Sequence, residues 1–115
     1  PVVANGDIWT REDFLRCLEI TGASRFMIGR GALANPRLAY EIATELGLPT
    51  HYRPEPWSLR LRRFLRWQRH FHGPSPSFEV KRLKQWLAMA ARHGEFGEFE
   101  TIKRLTSVTA ILKHL

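Results

Sequence analysis

With 115 residues the chain is long enough for one domain, and its 18 Lys and Arg against 11 Asp and Glu give a formal charge of +7. That balance favours a polyanionic partner, nucleic acid first, over a neutral small molecule alone. The single Cys17 rules out an internal disulfide framework and fits a reducing, cytoplasmic compartment. No apolar run reaches the roughly 18 residues of a transmembrane helix, so no membrane partner is expected. The chain opens on Pro1 rather than Met and runs straight into an apolar segment, which reads as a fragment or a processed product.

Two strand-then-glycine junctions come first. Pro1-Val2-Val3-Ala4-Asn5-Gly6-Asp7 and Phe26-Met27-Ile28-Gly29-Arg30-Gly31 each place a short apolar run, suited to burial on both faces of a parallel sheet, ahead of glycines that let backbone amides approach a ligand closely. Between them, Thr10-Arg11-Glu12-Asp13 reads as an N-cap with acids in the first turn of a helix that uses Phe14, Leu15 and Leu18 and ends at Gly22. Strand, helix and strand at this spacing suit a right-handed parallel crossover. Gly31-Ala32-Leu33 is expected to form a short helical turn. Asn35-Pro36 reads as a cap with proline at the first helical position of a helix reaching about Leu46, stopped by Gly47 and Pro49. In (β/α)₈ barrels phosphate is commonly held by the loops after the last two strands and the N-terminus of a short extra helix. Residues 1 to 36 offer those three parts in order, although a whole barrel takes about 250 residues.

Pro49, Pro54 and Pro56, in a stretch with no periodic pattern, mark a linker between two differently built halves. From Trp57 to His72 a broad apolar stripe (Leu59, Leu61, Phe64, Leu65, Trp67, Phe71) runs beside Arg60, Arg62, Arg63, Arg66 and Arg69. Gly73-Pro74-Ser75-Pro76-Ser77 breaks that helix. A second is expected from about Phe78 to Arg92 on Val80, Leu83, Trp86, Leu87 and Ala90, a third from near Glu98 with Phe99, Ile102 and Leu105, and a last one capped by Thr106-Ser107. The expected fold is α/β plus all-α. It comprises a terminal β-α-β piece of a TIM barrel over residues 1–47, a linker over 48–56 and a C-terminal helical bundle over 57–115.

The segments Pro1 to Ile8, Cys17-Leu18-Glu19-Ile20-Thr21-Gly22, and Phe26 to Leu33 followed by Asn35-Pro36 together resemble the end of the barrel of a tRNA-dihydrouridine synthase. Val80-Lys81-Arg82-Leu83-Lys84-Gln85-Trp86-Leu87 resembles the helical RNA-binding domain of that family's bacterial C-type subgroup. The resemblance implies a cytoplasmic FMN flavoprotein that takes electrons from NADPH and reduces a D-loop uridine in tRNA. It also implies that Asn5, Gly6, Asp7, Gly29 and Arg30 hold the FMN phosphate and that Arg82, Lys84 and Lys103 contact tRNA. The family's catalytic cysteine lies on a loop of an earlier barrel strand, outside these residues, so no catalytic residue is assigned and the segment alone is expected to be inactive. The residues agree with the implied roles: a flavin phosphate carries close to two negative charges, which glycine amides and an arginine fork suit.

Plainer readings stand beside these. Cys17 reads as a small core residue, and the arginines from Arg60 to Arg69 as either a solvated face or an RNA contact. Trp57, Trp67 and Trp86 read as bundle core rather than base-stacking platforms. His70 and His72, one residue apart, fall on different sides of a helix with no cysteine or carboxylate cluster, so no metal is expected. The alternative function is a noncatalytic helical RNA-binding module; a further one is another FMN barrel whose helical half serves oligomerisation.

Overall fold

The computed structural model describes residues 2–115; Pro1, the first residue of the expected first junction, lies outside them. Strand β1 (Val3–Asn5) pairs in parallel with β2 (Arg25–Met27), Ala4 lying opposite Phe26. They form a two-stranded sheet joined by helix α1 (Arg11–Thr21), so the β-α-β unit is present as a small open sheet and not as a barrel. The local chemistry of α1 follows its sequence. Thr10 and Asp13 form a reciprocal capping box that satisfies orphan amides at the N-terminus, and Gly22, at φ 60°, takes the left-handed C-terminal position.

Phe14, Ile8, Leu38 and Ile42 form the buried cluster under this sheet, with Phe26 edge-on to Phe14 at 4.8 Å. Burial of the strands on both faces is not what the chain adopts. Val2 and Met27 are 76% and 56% exposed, because with two strands only the side covered by α1 and its neighbours finds packing partners. Helix α2 (Gly29–Ala34) follows β2 directly and is longer than the expected turn. Helix α3 (Leu38–Glu45) begins two residues after Pro36: the Asn35 carboxamide oxygen accepts from the Arg37 amide and the Asn35 carbonyl from the Leu38 amide, so Pro36 and Arg37 form a turn rather than the first helical residues.

The described residues fall into two compact units. One holds the chain up to Tyr52 together with Met89–Phe96, the other Arg53–Ala88 with Gly97–Leu115. In the first, Gly94 packs on the Ala34 carbonyl so closely that a Cβ would collide with it. The second contains helix α4 (Trp57–His72), the body of α5 (Pro76–His93), the single turn α6 (Phe99–Ile102) and α7 (Val108–His114). Leu61, Leu65, Leu83, Leu87, Ile102 and Ile111 are buried within it, and Ser107 caps α7 by accepting from the Ala110 amide. Helix α5 starts at Pro76, earlier than Phe78, since proline needs no acceptor at a first helical position. No helix among the described residues is long and apolar enough to cross a membrane.

Candidate functional site

The C-terminal ends of β1 and β2 open into one groove of about 370 Å³, lined by Asn5, Gly6, Asp7, Gly29 and Arg30 among others. The parallel register places the two strand ends side by side, so segments more than twenty residues apart in sequence form its two walls. Asp7 turns the loop after β1 with φ 41°, a left-handed conformation that aspartate tolerates better than most residues, and Gly29 opens α2 at φ 32°. The amides of Gly29 and Arg30 begin that helix, where no intrahelical acceptor serves them.

Across the groove the Arg30 guanidinium donates to Asp7 at 2.9 Å, with both side chains about two-thirds exposed or more. Its carbon sits over the Trp9 ring at 5.2 Å, and Trp9 in turn stacks on His93 at 3.8 Å. Trp9 is therefore part of the site's scaffold although nothing in its sequence context marks it. Gly31 also lines the groove, and its amide donates to the Ile28 carbonyl at 2.7 Å. A Cβ there would collide with the Ile8 carbonyl, so this glycine lets α2 close against the loop after β1. At Gly6 a Cβ would meet nothing within 4 Å.

Of the basic residues singled out in the second half, two come together. The Lys84 ammonium donates to the Lys103 carbonyl at 2.9 Å, and Lys103 pairs with Glu100. Arg82, two residues from Lys84, faces elsewhere: it lies over the Phe78 ring at 5.0 Å and donates to Gln85. The α4 arginines divide. Arg63 donates to Glu55 at 2.7 Å, with Arg60 nearby, and the Arg63 hydrogen bond foremost holds the Glu55 carboxyl below its ordinary range. Arg69 donates to the buried Glu79 at 2.5 Å. Arg62 and Arg66 are exposed with no acidic partner among the described residues.

The three tryptophans of this half also part company. Trp57 and Phe64 sit edge-on to the half-buried Trp86, as core residues do, whereas Trp67 is 57% exposed and stacked on Phe71. Reading Trp67 as core is thus corrected: it lies on the flank of α4, between the buried stripe of Leu61 and Leu65 and the arginines. Cys17 is half-buried beside the Phe14 cluster. No group of three or more His, Cys, Asp or Glu side chains converges among the described residues.

A β-α-β unit whose paired strands end in a shared polar groove, followed by a basic helical region, defines an α/β piece with an attached helical unit. Comparison with known proteins places it further. Residues 1–111 match the dihydrouridine synthase (Dus) family model, and the chain belongs to that family. It is 37% identical over 105 residues to the tRNA-dihydrouridine(16) synthase of Shewanella oneidensis, covering 90% of this chain and 31% of that protein. The enzyme of the same name from Pseudomonas syringae pv. tomato is 40% identical over 116 residues, covering 96% of this chain and 36% of its own length. That from Pseudomonas putida is 41% identical over 95 residues, covering 80% and 28%. The chain thus spans about a third of these relatives.

Proposed function

We propose that this chain is the C-terminal part of a flavin-dependent tRNA-dihydrouridine synthase. Residues 1–47 form the end of the barrel and its FMN-phosphate site, 48–56 a linker, and 57–115 the tRNA-docking region. The parent enzyme draws on NADPH, and the relatives' names make position 16 of tRNA the expected target. The observation that carries this reading is the convergence of Asn5, Gly6, Asp7, Gly29 and Arg30 around one groove at the ends of two parallel strands. The open apolar side of the sheet, with Val2, Val3 and Met27 exposed, is what further barrel strands would cover and supports the same reading.

The donor set fits a phosphate monoester. Arg30 offers a charged fork, the opening amides of α2 have no acceptor within their own helix, and Gly6 leaves space. Asp7 is a carboxylate and repels an anion, so its part is to hold Arg30 by the 2.9 Å bond while Trp9 supports the guanidinium from beneath. When bound, FMN supplies the hydride that reduces the uracil ring; these residues hold its phosphate and leave the redox chemistry to segments outside this chain.

The test compares FMN with riboflavin, which lacks the phosphate, by flavin fluorescence in the full-length protein. Arg30→Ala is expected to weaken FMN by about 10- to 100-fold, the scale of a charge-assisted hydrogen bond, and to leave riboflavin unchanged. Equal effects on both ligands, or none on FMN, would overturn the assignment.

A further inference from the structure

We propose that the exposed face of α4 is a docking surface for an unpaired stretch of RNA, whose bases stack on Trp67 and Phe71 and whose phosphates are held by Arg62 and Arg66. This rests on the reading that the helical region docks RNA, and it adds a surface separate from Lys84 and Lys103.

The helical period sets the face. Arg62 and Arg66, four residues apart, form one row along α4, and Trp67 and Phe71, also four apart, form the next, turned away from the buried Leu61 and Leu65. All four residues are exposed. Trp67 and Phe71 are nearly parallel, 12° apart with centroids at 5.8 Å, and His70 lies edge-on to both. Three rings in contact on the solvent side of one helix leave an apolar patch flanked by charge, the kind of surface that marks an interaction site. The arginines beside it differ from their neighbours. Arg63 pairs with Glu55 and Arg69 with Glu79, whereas Arg62 and Arg66 meet no carboxylate among the described residues. As like charges one turn apart they weaken the helix, so folding accounts for neither row.

Charge decides the occupant. A second copy seated on this face would bring its arginine row against the first, which like charges oppose, whereas an anionic strand relieves the repulsion. The rings decide its form. In a duplex the base faces are covered by their neighbours, so side-chain rings stack on bases only where an unpaired segment splays them out. The patch also adjoins a residue already proposed to contact tRNA. Trp67 and Phe71 share a groove of about 310 Å³ with Phe78 and Arg82, no carboxylate lines it, and the Arg82 guanidinium lies over the Phe78 ring.

The experiment titrates the full-length protein with a single-stranded RNA octamer, the same octamer with abasic positions, and a folded tRNA transcript across a salt series, with thermal melts of each variant. Rings and arginines have different signatures. Trp67→Ala is expected to weaken the intact octamer by roughly 5- to 100-fold, the scale of a base stack, without changing the slope of log Kd against log salt. Trp67→Phe, which keeps a ring, should recover most of that loss, and the abasic octamer should bind wild type and Trp67→Ala alike. Arg62→Gln with Arg66→Gln should lower the slope by about 1.4 for both octamers, at ~0.7 for each phosphate contact on a single strand. All these positions are exposed, so melting temperatures should change little.

Unchanged affinity for the intact octamer in Trp67→Ala, or an unchanged slope in the arginine variant, overturns the proposal. It is overturned equally if Trp67→Ala converts a dimer to a monomer without changing RNA affinity, which makes a second copy the occupant. Lys84→Ala with Lys103→Ala separates this surface from the reading beneath it. If that double variant loses tRNA while the α4 variants bind both RNAs like wild type, the docking reading stands and the α4 surface is refuted. A wild-type protein that binds neither the octamer nor tRNA refutes both.

Discussion

Replacing Gly31 by alanine tests how the groove is assembled. A Cβ at that position would lie less than 3.0 Å from the Ile8 carbonyl oxygen, 3.2 Å from the Ile8 carbonyl carbon and 3.0 Å from Leu38 Cδ2. Leu38 can rotate away, but the Ile8 carbonyl is backbone and belongs to the loop that carries Asp7. Restoring ordinary contact of ~3.5 Å requires moving α2 or that loop by well over an ångström. Such overpacking typically costs about 1–3 kcal/mol, a fall in melting temperature of roughly 4–8 °C per kcal/mol for a domain of this size. The same displacement would stretch the 2.9 Å Arg30–Asp7 bond beyond hydrogen-bonding range, so FMN affinity should fall with stability. Gly6→Ala is the control: its Cβ meets nothing within 4 Å and its φ is not in the left-handed region, so its stability should change by less than about 0.5 kcal/mol. Urea or thermal unfolding of both variants decides the matter. If Gly31→Ala is as stable as Gly6→Ala, the two walls are not held by the contact described.

Glu79 is 1% exposed with one oxygen bound by Arg69 and the other unpartnered, so Arg69→Ala leaves a buried carboxylate uncompensated. Because Arg69 is half exposed, the loss should lie toward the lower end of the roughly 3–5 kcal/mol seen for broken buried pairs, and Arg69→Ala with Glu79→Leu should recover most of it; denaturant titration of both variants checks this. If the helical region docks on tRNA phosphates, log Kd against log salt should be steep, and losing one phosphate contact, as in Lys84→Ala, should reduce the slope by about one; an unchanged slope removes Lys84 from the interface. The Arg63 hydrogen bond depresses the Glu55 pKa in the folded state, so its contribution to stability is present above the unfolded value of about 4.3 and is lost as pH falls through the lower folded one. Glu55→Gln should therefore lose stability relative to wild type at pH 7, with the gap closing in thermal melts as the pH falls below the ordinary carboxylate range.

Much of the secondary structure was legible because it is fixed by contacts a few residues apart. Thr10 with Asp13, Gly22 after α1, Ser107 before α7 and the prolines of the linker each act within about four positions, and the periodicity of Leu61, Leu65, Leu83 and Leu87 names the faces that become buried. The groove residues were legible for a different reason: their motifs resemble a family whose model spans residues 1–111. The start of α3 was misread because the Asn35 carbonyl and side chain both serve a turn, a choice that proline at a would-be first helical position does not reveal.

The sequence by itself determined the order of elements, their caps, the basic balance and the side of each helix that seeks burial, since these depend on local hydrogen bonds and on the 3.6-residue period. Only the tertiary structure decided that Arg30 is held by Asp7 23 residues away, that His93 supports Trp9, that Lys84 bonds the Lys103 carbonyl while Arg82 turns aside, and that Trp67 stays exposed beside a buried Gln68. The contacts Arg30–Asp7, His93–Trp9 and Lys84–Lys103 each join segments that share no local signal. Which partners meet is settled by how the parallel strands and the helices pack, and the period of a helix alone does not distinguish a ring that faces a neighbour from one that faces water.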